Sequence, residues 1–148
     1  MGDKKKKKRE MDTRFAKFGT VSFTATTKVN DFVDFLEKGQ VAGTRCKTCG
    51  THYFPPRAHC CQCLDRAEME WFTVEGTGRL MTYSQLMYAP IGFTDDLPYA
   101  IAVLDYGDYK VFGRIGDVPL EELEIGMELK AQANRLPNGQ LNYVFNRP

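Results

Sequence analysis

The chain has 148 residues, 43% hydrophobic and 26% charged, as in an ordinary globular domain, which excludes collagen-like, coiled-coil and wholly disordered classes. No apolar run reaches the ~18 residues of a membrane-spanning helix, and the charged start Met1-Gly2-Asp3-Lys4 does not read as a secretory leader. The net charge of +1 hides an asymmetry: six of the 20 basic and two of the 19 acidic residues lie in the first ten, leaving 14 and 17 and a net charge of −3 for the rest. Nucleic-acid binders carry a basic face on the folded domain itself, and this body is mildly acidic.

Residues 1–29 read as a basic tail, with its lysine run at 4–8, followed by an extended segment. There Phe15, Phe18, Val21 and Phe23 fit neither helical nor strand period, which suggests docking onto the chain's own domain or a partner. Residues 30–44 hold a short helix: Asn30 can cap it, Phe32, Phe35 and Leu36 share one face, and Gly39 ends it. Residues 45–75 contain all five cysteines and end in a strand marked by Met69, Trp71 and Thr73. Residues 76–148 read as all-β. A long strand runs over 79–88 and a Pro/Gly loop over 89–98, with a buried apolar strand at 99–106. A Gly107-Asp108 hairpin and a strand to Ile115 follow. One helical turn at 119–123, an alternating strand at 128–135, an Asn138-Gly139 hairpin and a last strand at 141–145 complete it. Five strands in about 70 residues suit an OB-type barrel.

The cysteines carry the strongest chemical signal. Cys46-x-x-Cys49 and Cys60-x-x-Cys63 are two knuckles separated by ten residues. Two residues between ligands let both sulfurs of a tight turn face one ion, and two such turns complete a tetrahedral four-sulfur shell. Gly50 can supply the positive φ that such a knuckle needs. A shell of four sulfurs leaves no open position, so the expected metal is a structural zinc, with iron as the competing occupant. Cys61 is left as a spare thiol, and His52 and His59 as surface loop residues. Clustered cysteines without a leader point to a reducing, cytoplasmic setting.

Other catalytic signals are thin. The chain has no G-x-S-x-G, H-E-x-x-H or phosphate-loop motif. Gly76-x-Gly78 precedes a strand rather than a helix, and Asp95-Asp96 reads as a turn. The inventory suits a binding or accessory module that is not catalytic alone, with an enzyme built on Cys61 or on Asp95 and Asp96 as a lesser possibility.

Several motifs together are similar to one family. They are Arg45-Cys46-x-x-Cys49-Gly50, Pro55-Pro56-Arg57, Cys60-x-x-Cys63, Ala89-Pro90-x-Gly92-Phe93, Leu97-Pro98-Tyr99-Ala100 and Ile125-Gly126-Met127. The chain from about residue 30 onward resembles the family that joins a rubredoxin-like zinc ribbon to an acyl-CoA-associated OB-fold. The resemblance implies a mainly β protein with a short N-terminal helix, a ribbon and a C-terminal five-stranded OB-fold barrel. It also implies a small subunit working beside a thiolase-like large subunit that makes or breaks C–C bonds of an acyl-CoA. Such partners include thiolases of aromatic-compound degradation, sterol side-chain enzymes and acetoacetyl-CoA machinery. Cys61 departs from the family, which commonly has proline there.

On that reading Arg57, Lys47 and Arg79 are candidates for the phosphates of CoA, and the loop from Tyr88 to Phe93, with Tyr99, for its adenine, the acyl group or the partner. A single-stranded nucleic-acid-binding ribbon/OB module is the alternative, disfavoured by the acidic body. A rubredoxin-like electron carrier is a third reading.

Overall fold

The computed structural model describes residues 11–19 and 27–148; the lysine run, Val21 and Phe23 lie outside the described residues. A helix, α1 (Asp31–Glu37), is followed by three short strands, β1 (Ala42–Cys46), β2 (His52–Tyr53) and β3 (Met69–Thr73). They form an antiparallel sheet in the order β2-β1-β3. Five further strands follow: β4 (Gly78–Leu86), β5 (Tyr99–Asp105), β6 (Lys110–Ile115), β7 (Glu128–Arg135) and β8 (Leu141–Asn146). They close into a barrel in the order β4-β5-β6-β8-β7, with β6 and β8 parallel and the other pairs antiparallel. Closure removes the open edges that a five-stranded sheet would otherwise expose. A bulge between Leu80 and Thr82 lets β4 bend from β7 toward β5.

The barrel core alternates as strands require. Ala100, Ala102 and Leu104 of β5 point inward, as do Leu80, Val111, Leu129 and Phe145 from the other strands. The apolar run at 99–106 is therefore half-buried rather than buried on both faces, because Tyr99, Ile101 and Val103 turn to the barrel's outer side. Gly113 is needed here: a Cβ would meet the Phe145 ring at 2.7 Å.

α1 has the bounds its pattern predicts, and Gly39 ends it with φ +78°. Two details differ. Asn30 has helical φ/ψ, so its side chain does not cap; its Nδ2 donates to the Thr27 carbonyl instead. The buried face is Phe32, Val33 and Leu36, while Phe35 leans out against Trp71 with ring centroids 5.3 Å apart.

Residues 11–19 dock on the chain itself. Arg14 bridges Asp12, Asp31 and Asp34, and Lys17 pairs with Glu37 at 2.7 Å. Phe15 and Phe18 enter an aromatic cluster centred on Phe32, which also contacts Phe54 of the ribbon and Tyr143 of β8. Ribbon and barrel meet again where Phe72 packs at 4.8 Å and His52 at 5.4 Å from Tyr109, before β6. His52 is thus a half-buried strand residue at this junction, not a surface loop residue.

The two hairpins differ in loop length. At Gly107-Asp108 only the glycine has positive φ, and Tyr106 N–H donates to the Tyr109 carbonyl, the arrangement of a type II′ turn. At Asn138-Gly139 the glycine alone is left-handed and Leu136 N–H reaches the Gln140 carbonyl. That makes a three-residue loop with glycine at the left-handed position, not a two-residue turn.

Candidate metal centre

The two knuckles are built alike. The residue after each second cysteine returns its N–H to the carbonyl of the first: Gly50 to Cys46 at 2.7 Å, and Leu64 to Cys60 at 3.0 Å. Both residues are left-handed, Gly50 at φ +77° and Leu64 at φ +51°. Closing each loop this way turns its two sulfurs toward the other knuckle. The Sγ atoms of Cys46, Cys49, Cys60 and Cys63 lie within 4.8 Å of one another, and those of Cys49 and Cys60 are 3.6 Å apart. A tetrahedral ion with Zn–S near 2.3 Å sets sulfurs about 3.8 Å apart. The donor set and its spacing therefore fit zinc. Cys46 and Cys60 are buried and Cys49 is exposed, so the centre sits at the surface end of the ribbon.

The surroundings favour thiolate at Cys60 and Cys49. Tyr53 Oη lies 3.1 Å from Cys60 Sγ and accepts the Cys61 N–H at 3.2 Å, leaving its own proton for sulfur. That hydrogen bond holds the Cys60 thiol down at about 6. Thr51 lowers Cys49 in the same sense. Cys63 is pushed up to about 12, first by sharing a proton with Cys49 and then by burial. Like charges so close resist full ionisation until a cation joins them.

Thr44 locks the loop between the knuckles. Buried on β1, its hydroxyl donates to the Arg57 carbonyl at 2.9 Å and accepts the Arg57 N–H at 2.8 Å. Neither Thr44 nor Tyr53 has a spacing signal in the sequence that would single it out. Cys61 is exposed and stands outside the four-sulfur set.

The three candidate cations are apart. Arg57 is exposed on the locked loop, with its guanidinium 5.4 Å from the Tyr53 ring centre, and meets no carboxylate among the described residues. Lys47 is paired with Glu68 at 2.6 Å. Arg79 lies in register with Asp105 on one side and Glu128 on the other, in a groove that neither Arg57 nor Lys47 borders. Among the described residues no helix is long and apolar enough to cross a membrane.

A four-cysteine ribbon joined to a closed OB barrel defines the class. Residues 34–70 match the family described as "ChsH2, rubredoxin-like zinc ribbon domain", and residues 71–134 the one described as "ChsH2, C-terminal OB-fold domain". A "DUF35 domain-containing scaffold protein" of Methanocaldococcus jannaschii is 37% identical over 101 residues, 68% of this chain and 72% of that protein. One of the same description from Methanothermobacter thermautotrophicus is 28% identical over 81% of this chain and 94% of its own length. The chain therefore belongs to the DUF35 family of ribbon and OB-fold proteins. A solved structure described as "Ltp2-ChsH2(DUF35) aldolase" shares the fold, with a TM-score of 0.68 and 20% identity over 84% of this chain and 98% of that one.

Proposed function

We propose that the chain is a non-catalytic scaffold subunit of a thiolase-superfamily acyl-CoA enzyme, its ribbon held by a structural zinc ion. The observation that carries this reading is the closed set of four sulfurs, which leaves a bound ion no open position for substrate. Cys46, Cys49, Cys60 and Cys63 would hold the ion, which when bound cross-links the two knuckles and supplies no reacting ligand. The scaffold role is supported by the archaeal relatives described by that word and by a structural neighbour described as an aldolase with a DUF35 chain. Within this reading the nucleophile belongs to the large subunit and the work is done in the cytoplasm. Arg57 is the best placed of the three cations to pair with a CoA phosphate, because Lys47 is already paired with Glu68 and Arg79 has carboxylates as neighbours on both adjacent strands.

The test is purification of the tagged full-length chain from its native extract, with mass spectrometry and metal analysis. A thiolase-like subunit at near-equal amount and one zinc per chain are expected. In that complex Arg57→Ala should weaken CoA binding about tenfold, the value of one charge-assisted hydrogen bond. A chain that purifies alone, or CoA affinity indifferent to Arg57→Ala, contradicts the corresponding part of the reading.

A further inference from the structure

The outer face of β5 and β6 carries a cleft of about 340 Å³, within the range of small-molecule sites. Its floor is Ile101 and Phe112; Phe93 from the β4–β5 loop and Leu136 from the β7–β8 loop stand at its ends. This strand pair and these two loops are where OB-folds generally receive ligands. Phe112 is 48% exposed, an apolar ring open to solvent.

One guanidinium completes the site. Arg114 lies in register with Ile101 on the same outer face and stacks 4.4 Å from the centre of the Tyr99 ring. Its Nη1 donates to Asp96 Oδ2 at 2.7 Å, while Nε and Nη2 meet no acceptor among the described residues. The stacking and the ion pair hold the planar group in one orientation and leave its other donors for a ligand oxygen. Among the described residues Arg114 is the one cation bordering the cleft, and Asp96 offsets its charge. A polyanion tracked by several phosphate contacts does not suit such a lining.

We propose that this cleft binds a small molecule made of a compact hydrocarbon ring bearing one carbonyl or carboxylate oxygen. The ring lies on Phe112 and Ile101, and the oxygen accepts from the free donors of Arg114. The site is a property of the cleft and does not depend on the scaffold role, so a missing large subunit would leave it standing.

The test uses the isolated full-length chain, labelled with nitrogen-15 and titrated with 3-phenylpropanoate, with 3-phenylpropanamide and with 3-phenylpropylamine, which lacks the oxygen. Saturable amide shifts confined to residues of the cleft are expected with at least one of the first two. The tighter of the pair tells a carboxylate ligand from a carbonyl one. Arg114→Gln should weaken that ligand about tenfold, and Phe112→Ala should weaken it with the Asp96 pair intact. Absence of saturation by both oxygen-bearing probes overturns the proposal. So does equal binding of the amine, or affinity unchanged in both variants when their undisturbed amides show the native spectrum.

Discussion

Leu64 shows how much the knuckle geometry asks of one residue. It is the one non-glycine with positive φ among the described residues, and its side chain is 66% exposed, so burial returns little of the strain. The left-handed region costs a non-glycine roughly 1–2 kcal/mol, and glycine's extra unfolded freedom costs about 0.5–1 kcal/mol. Leu64→Gly should therefore stabilise the protein by about 0.5–1 kcal/mol, the difference of those two costs. At the matching position Gly50→Val should destabilise by at least ~1–2 kcal/mol. Thermal unfolding of both variants under reducing conditions decides it; a Leu64→Gly protein that melts below the parent would mean the leucine contacts outweigh the strain. The C-x2-C spacing and Gly50 are legible in the sequence because a knuckle uses local, repeated geometry. Leu64 is not, since nothing local marks a leucine as left-handed. The same holds for Thr44, whose pairing with Arg57 spans 13 residues.

At the scale of elements, α1 and β7 have the bounds their patterns predict. Their stop signals, Gly39 and the Pro137-Asn138-Gly139 loop, act through the backbone alone. Which helix face is buried was less legible. Val33 and not Phe35 faces the interior, since β1, β7 and β8 set the direction of the core and Trp71 gives Phe35 a separate place.

The turn at Arg14–Lys17 is held to α1 by ion pairs, and this makes its docking pH-dependent. Lys17 holds Glu37 of α1 below the usual carboxylate range. A carboxylate depressed in the folded state contributes stability above its unfolded value, lost as pH falls through the folded one. The amide shifts of Ala16 and Phe18 should therefore stay constant from about pH 8 to 5 and move below about pH 4. Shifts that change first near neutral pH would assign the docking to other groups.

At the scale of the molecule there are two cores. Cys46, Tyr53 and Cys60 form a small one, while the barrel, α1 and Val41 share a larger one without any cysteine. Too small a core generally needs a metal or disulfide to fold, and on the proposed reading a zinc ion serves the ribbon in this way. Removing the ion with a chelator should collapse the amide spectrum of residues 44–68 while leaving that of the barrel strands. Loss of the whole spectrum would show that the aromatic junction at Phe32, Phe72 and Tyr109 couples the two units into one cooperative fold.

The sequence by itself determined the metal-binding pattern, the five barrel strands and the family to which they belong. Each of these rests on short-range spacing: ligand pairs two residues apart, side chains alternating along a strand, glycines at turns. Only the tertiary structure decided what meets across the chain. It placed residues 11–19 on the chain's own domain, separated Arg57, Lys47 and Arg79, and set Arg114 between Tyr99 and Asp96 over an apolar floor. These outcomes depend on barrel closure and on contacts between distant residues, for which no local period exists.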